Sequence, residues 1–148
     1  MTLTAHEPYG EAAATVIAER AEAVFAYRSR DVLDLGDIEG VHAMRVATRR
    51  LRAALEVFGP CLARKGSRRV LAEVKALAGA LGERRDRDVQ LELLARLQTQ
   101  CDGAERRALR VLEQELSAEQ LEANEDLAKA LRGAKRVGLR RRLARLTR

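Results

Sequence analysis

A histidine and several arginines recur at helical spacing in the segment 41–58, VHAMRVATRRLRAALEVF. Intervals of three and four residues, which place side chains along one side of an α-helix, separate His42, Arg45, Arg49 and Arg52. A guanidinium group donates paired hydrogen bonds to phosphate or carboxylate oxygens, and an imidazole can donate one more. Several such groups in a row predict an anion-binding surface, and a polyanion would contact all of them at once.

A second stripe on the same segment predicts how the basic one is positioned. Apolar or small residues recur with the same period one position earlier, at Val41, Met44, Thr48, Leu51, Leu55 and Phe58. We expect this side to pack on the core. Because successive residues of a helix are rotated by about 100°, the basic stripe must border the core rather than point away from it. The sequence therefore predicts that the basic side chains line a cleft.

Acidic residues are absent between Gly40 and Leu55. The four arginines of this run, which include Arg50, are therefore expected to have no carboxylate partner four residues away. Closely spaced like charges repel, so something outside the helix is expected to neutralise them. An ordinary amphipathic helix with a solvated basic side is the alternative.

The rest of the chain supplies the elements that would hold this helix. Aromatic residues make up 3% of the sequence and prolines number two, which argues against strands and for helices. Apolar periodicity, caps and breakers predict five helices, from about 8 to 33, 38 to 58, 67 to 82, 86 onward, and 104 to 131, with a possible break at Ser117. In this scheme residues 34–37 form a loop, Ser67 and Gly82 bound the third helix, and Asp86 and Asp88 open the fourth. Short connections between helices predict an all-α antiparallel bundle.

Two motifs also resemble a known family. The run HAMRVATRRLRAALEVF, and the run LAGALGERRDRDV from Leu77 to Val89, are similar to the two local signatures of the CHAD domain, the conserved histidine α-helical domain. The motifs occur in the family's order, some thirty residues apart. A complete CHAD domain is similar to two four-helix bundles related by a pseudo-twofold axis, and this chain resembles the first of these halves.

The resemblance implies a function and a set of residues. Members of the family bind inorganic polyphosphate through basic residues and are often found beside triphosphate-tunnel enzymes or polyphosphate granules. Carried over to this sequence, the resemblance and the basic stripe together predict binding by His42, Arg45, Arg49, Arg50 and Arg52, with contributions from Lys75, Arg84 and Arg85. Lys75 could instead be an ordinary exposed lysine, and Arg85 could pair with Asp86 or Asp88.

The net charge of +6 is not spread evenly over the chain. Residues 132–148 hold 8 basic residues and no acidic one, which leaves 20 basic against 22 acidic residues, and a charge of −2, in the remainder. We therefore divide the chain into a bundle, 1–131, and a basic, helical tail, 132–148. Leu139, Leu143 and Leu146 form an apolar stripe on that tail that one short helix could not bury alone. Together with the single half-signature, this predicts a homodimer, the commonest symmetric oligomer.

Several classes of function have no support in the sequence. No glycine-rich phosphate loop, triphosphate-tunnel motif or nucleophile elbow is present, so we expect a non-catalytic protein without a cofactor. His42 has no second histidine or cysteine at metal-ligand spacing, and Cys61 and Cys101 are expected to be reduced thiols, so no metal site is predicted. No apolar run is long enough to span a membrane, and we expect a cytoplasmic protein. Association with polyphosphate granules is implied by the resemblance to the family alone.

Two other functions remain open at this point. Arginines that bind polyphosphate would also bind the backbone of a nucleic acid, although the few aromatic residues leave little for base stacking. A scaffold that contacts an acidic protein or another polyanion would use the same surface.

Overall fold

The computed structural model describes residues 8–62 and 64–147, apart from the side chains of residues 60, 64 and 65. Within these ranges the chain forms six α-helices and no strand, and the predicted all-α bundle is confirmed. The helices are α1 (Tyr9–Phe25), α2 (Ser29–Val32), α3 (Glu39–Phe58), α4 (Arg64–Gln98), α5 (Gly103–Arg136) and α6 (Leu139–Leu146). A short 3₁₀ turn, Gly59–Cys61, reverses the chain between α3 and α4. His6 and Arg148 lie outside the described residues.

The core lies where α1, α3, α4 and α6 meet, and α5 closes it from the side of α4. The apolar stripe predicted for 41–58 faces this core, with Phe58 only partly buried. Ala47 and Ala54 extend the buried side of α3 toward α1. The core includes α4 as far as Leu81 and α5 around Leu127. After Leu81, α4 continues beside the part of α5 that precedes Leu127. These two segments form a two-helix arm on which Leu93, Leu97 and other apolar side chains are exposed.

The helix that carries the basic stripe begins within one residue of its predicted start and ends where predicted. Its start is fixed by Asp37, whose carboxylate accepts a hydrogen bond from the Glu39 N–H at 3.0 Å. Gly40 lies against α2, where an added Cβ would come within 2.4 Å of the Asp31 carbonyl oxygen. Only glycine allows this approach, so α2 and the start of α3 are locked together.

The prediction of the first helix is wrong after Phe25. Instead of continuing to residue 33, α1 ends at Phe25, and the chain is extended at Arg28 before α2 begins. A continuous helix would carry the buried stripe of Ile17, Ala21 and Val24 on to Arg28. The break leaves Arg28 exposed and lets Val32 enter the core.

The predicted boundary between a third and a fourth helix is also wrong. Gly82 does not end a helix, and α4 runs without interruption through it. Asp86 and Asp88 therefore lie inside α4 and open no helix. A glycine costs a helix only about 1 kcal/mol, and the packing of α4 against both α3 and α5 outweighs that cost. Similarly, α5 passes Ser117 unbroken.

The basic tail belongs to the bundle. α5 continues past residue 131 to Arg136, so that position is no structural boundary, and α6 packs on α1, α4 and α5. Gly138, with a φ of 66°, provides the left-handed residue at the turn between α5 and α6. Leu139 and Leu143 are each 1% exposed. The expectation that their apolar stripe needs a partner chain is therefore wrong, because this chain's own core buries it.

None of the described helices is both long enough and apolar enough to cross a membrane.

Candidate anion-binding surface

The basic stripe lies on the side of α3 that meets α4. Arg49, Arg50 and Arg52 are exposed, whereas His42 and Arg45 are half-buried.

Three of the predicted residues have free charges. Arg45, Arg49 and Arg50 make no side-chain hydrogen bond or ion pair with any residue that the structure describes. Arg49 and Arg50 also border a shallow surface hollow of about 350 Å³, together with Val46 and Ala53. The stripe therefore presents uncompensated positive charge on two adjoining surfaces, one toward α4 and one on the outer side of α3.

Arg52 differs from the other three, and the expectation that it lacks a carboxylate four residues away is wrong. The Arg52 Nε atom lies 3.1 Å from the Glu56 carboxylate, which also accepts from Lys75 Nζ at 3.0 Å. The Lys75 ammonium, and after it the Arg52 guanidinium, lower the pKa of the Glu56 carboxyl. Lys75 thus joins the surface, but one carboxylate is already bound to it and to Arg52.

The contact between Lys75 and Glu56 shows which sides of α3 and α4 meet. Because the chain reverses at the 3₁₀ turn, the two helices run antiparallel. The basic stripe therefore runs from this contact along α4 in the direction of Arg85 and Val89.

Arg85 and His42 occupy the more buried end of this surface. The Arg85 side chain is 15% exposed, and its only near carboxylate within the described ranges is that of Glu92, with a 3.7 Å separation. Its Nη1 atom is buried without a hydrogen-bond partner among the described residues, as is Nδ1 of His42. These two atoms are themselves buried, so an anion would contact His42 and Arg85 through the parts of their side chains that are exposed.

Arg84 does not belong to this surface, and its prediction as a binding residue is corrected. Its side chain is 0% exposed and forms an ion pair with the equally buried Asp88, one turn further along α4. It also approaches the Asp34 carbonyl oxygen at 3.4 Å. A charge that is fully buried and paired cannot reach a polyanion without disrupting the core.

The pair formed by Arg84 and Asp88 anchors a polar network that sequence reasoning missed. Gln120 donates to Asp88 at 2.7 Å, and Asn124 donates to the Leu33 carbonyl at 3.1 Å. Since Leu33 and Asp34 lead into α3, the network ties the start of the basic helix to α4 and α5. The spacing of four residues between Arg84 and Asp88 was the available signal, whereas Gln120 and Asn124 give no local one.

Other chemistry finds little support among the described residues. Within 8–62 and 64–147, no group of three or more metal-ligating side chains could hold an ion. Cys61 and Cys101 are both free, and desolvation, followed by the nearby Glu105, raises the pKa of the Cys101 thiol. Cys101 is therefore a protonated thiol at neutral pH.

Comparison with protein families gives one match. A family model described as CHAD domain matches residues 15–148, which include all of α3, α4, α5 and the described part of the tail. The comparisons with curated proteins and with solved structures gave no match.

Proposed function

The chain belongs to the CHAD domain family, and from this premise we propose that it binds inorganic polyphosphate, without catalysis, along the surface between α3 and α4. The binding residues are His42, Arg45, Arg49, Arg50, Arg52, Lys75 and Arg85. Arg84 takes part only indirectly, by holding the segment that leads into α3.

The observation that carries the proposal is the unpaired charge of Arg45, Arg49 and Arg50. Some arginines elsewhere in the described chain are engaged by acids, as Arg69 is by Glu73 and Arg87 by Glu119, and others, such as Arg107 and Arg110, are not. The three of α3 differ because they stand together on a run that has no acid from Gly40 to Leu55. Three neighbouring guanidinium groups without a described partner repel one another in the free protein. A chain of phosphates would relieve this repulsion and accept charge-assisted hydrogen bonds from all three.

The half-buried donors at the other end of the surface support a phosphate ligand in particular. A partly exposed imidazole and a partly exposed guanidinium complement an oxygen-rich anion that carries several acceptors on each unit. The site then needs no base recognition, which agrees with the 3% aromatic content of the chain.

A competition titration tests the proposal. A labelled polyphosphate is bound to the full chain, and unlabelled polyphosphate, single-stranded RNA or duplex DNA of matched total charge is added at one fixed salt concentration. We expect polyphosphate to displace the label at least tenfold more effectively than either nucleic acid. Displacement that depends on total charge alone would instead indicate a general polyanion-binding or nucleic-acid-binding protein.

Self-association and location stay predictions. The apolar side of α6 is buried in the core of the same chain. The exposed leucines on the arm formed by α4 and α5 offer another apolar surface for a second copy. Light scattering with and without polyphosphate measures whether a homodimer forms. Cytoplasmic residence, at polyphosphate granules, is likewise proposed from the family and would be tested by imaging a tagged chain.

A further inference from the structure

Gly79 and Gly82 lie in the interior of α4, where glycine is costly. Each destabilises a helix by about 1 kcal/mol relative to alanine. No unusual backbone conformation requires them, since the glycines with positive φ in the described chain are Gly66 and Gly138. Conformational freedom therefore does not account for either residue.

Helix packing does not account for them either. A Cβ atom added to Gly79 or Gly82 would meet no atom within 4 Å. This contrasts with Gly40, where the same addition would collide with the backbone of α2. The space beside both glycines is therefore open, and neither is needed to let α3 approach α4.

The two glycines lie beside the basic stripe. Lys75, Gly79 and Gly82 follow one another at helical spacing, so they share one side of α4, the side on which Lys75 contacts Glu56 of α3. In the antiparallel pair, the two glycines of α4 and Arg52 and Arg49 of α3 follow that contact in the same direction. A strip of α4 without side chains thus runs parallel to the arginines.

We propose that Gly79 and Gly82 determine affinity and selectivity for polyphosphate by letting the phosphate chain lie directly against α4 while Arg49 and Arg52 bind it from α3. This inference rests on the proposed function. Polyphosphate carries no side groups, so consecutive phosphates can all approach a bare helix surface. Nucleic acids carry a sugar and a base at every phosphate, and these keep part of the backbone away from such a strip.

Graded substitution tests the proposal. Gly82→Ala should weaken polyphosphate binding about twofold or less, and Gly82→Leu and Gly79→Leu should weaken it fivefold or more, because the loss follows the volume added beside the arginines. Gly133→Leu is the matched control, since Gly133 lies within α5 and a Cβ there also meets nothing within 4 Å. The control should bind with wild-type affinity, and thermal unfolding should show that none of the variants is less stable than the wild type.

Two results would overturn the inference. One is wild-type affinity in the Gly79→Leu/Gly82→Leu double variant, and the other is an equal loss of affinity in Gly133→Leu. Arg45→Ala/Arg49→Ala, measured in the same titration, separates this failure from that of the proposed function. If the arginine variant loses binding and the glycine variant does not, only the inference fails; if both bind normally, the site itself is wrong.

Discussion

Several arginines of α4 are paired with acids, whereas most of those of α3 are not, although both helices are rich in arginine. In α4, Arg84 is buried against Asp88, and Arg87 lies 2.7 Å from Glu119 and 4.0 Å from Glu83. In α3, Arg45 and Arg49 have no ion pair to any residue within the described ranges. Arginine content alone therefore says little about anion binding, and the arrangement of nearby carboxylates separates paired arginines from those whose charge is free to meet an anion.

Local spacing explains much of this difference. Asp88 lies four residues after Arg84, and Glu83 four residues before Arg87, whereas the corresponding positions around Arg49 hold Arg45 and Ala53. Side chains four residues apart are neighbours on a helix, so an acid at that distance neutralises the arginine first.

The largest effect is expected for Arg84→Ala. Removing one partner of a buried pair leaves the Asp88 carboxylate buried without its counter-charge, which typically costs about 3–5 kcal/mol. Chemical denaturation should show this loss of unfolding free energy. The double variant Arg84→Met/Asp88→Leu should recover most of it, because no buried charge remains. A stable Arg84→Ala protein would mean that Arg84 is not structural.

A smaller effect, on binding alone, is expected for Arg45→Ala and Arg49→Ala. Each removes charge-assisted hydrogen bonds that are worth about 1.5–3 kcal/mol, so polyphosphate affinity should fall at least tenfold. Stability should be unchanged or slightly higher, because the substitutions relieve repulsion between like charges. Circular dichroism and denaturation supply the check: a loss of helix content in either variant would make these arginines structural like Arg84.

A further loss of binding is expected for His42→Gln. The imidazole can donate a hydrogen bond to a phosphate oxygen, and such a bond contributes about 0.5–1.5 kcal/mol, so polyphosphate affinity should fall roughly twofold to tenfold, less than for Arg49→Ala. Titration calorimetry of the two variants side by side measures the difference. Wild-type affinity in His42→Gln would remove His42 from the site.

The smallest effect is expected for Glu56→Gln. Its carboxylate holds Arg52 and Lys75, both of which are partly exposed, and such surface pairs contribute only about 0.2–1 kcal/mol. Releasing the two cations to the ligand should raise polyphosphate affinity by roughly twofold to fivefold. Calorimetric titration would detect this gain, and a decrease would show that Glu56 positions the cations rather than competing for them.

Strong periodicity made the helix of the basic stripe predictable from the sequence. The apolar repeat that ends in Phe58 and the Gly59–Pro60 stop fix both of its ends. The α4 helix was not predictable in the same way, because Gly82 is a local breaker signal and only packing against two other helices overrides it. The break after Phe25 could not be predicted either. It keeps Arg28 out of the core, and which side of this segment faces the core is known only from the fold.

The candidate site could be predicted on α3 but not across α4. The spacing of His42, Arg45 and Arg49 predicted a stripe that borders the core, and the structure places it there. Arg84 was assigned to the same surface together with Arg85, its neighbour in sequence. On a helix, however, adjacent residues are about 100° apart, and whether Arg84 or Arg85 faces the core depends on Asp34 and Gln120 from distant segments.

The salt dependence of polyphosphate binding shows whether the unpaired arginines of α3 form the binding surface. The association constant would be measured over a series of salt concentrations for the wild type and for Arg45→Ala/Arg49→Ala. If both arginines neutralise phosphates, the slope of log K against log salt should become less steep by about 1.4–1.8, with 0.7–0.9 for each contact removed, as for nucleic-acid phosphates. An unchanged slope in a folded double variant would contradict the account, because polyphosphate would then be bound elsewhere.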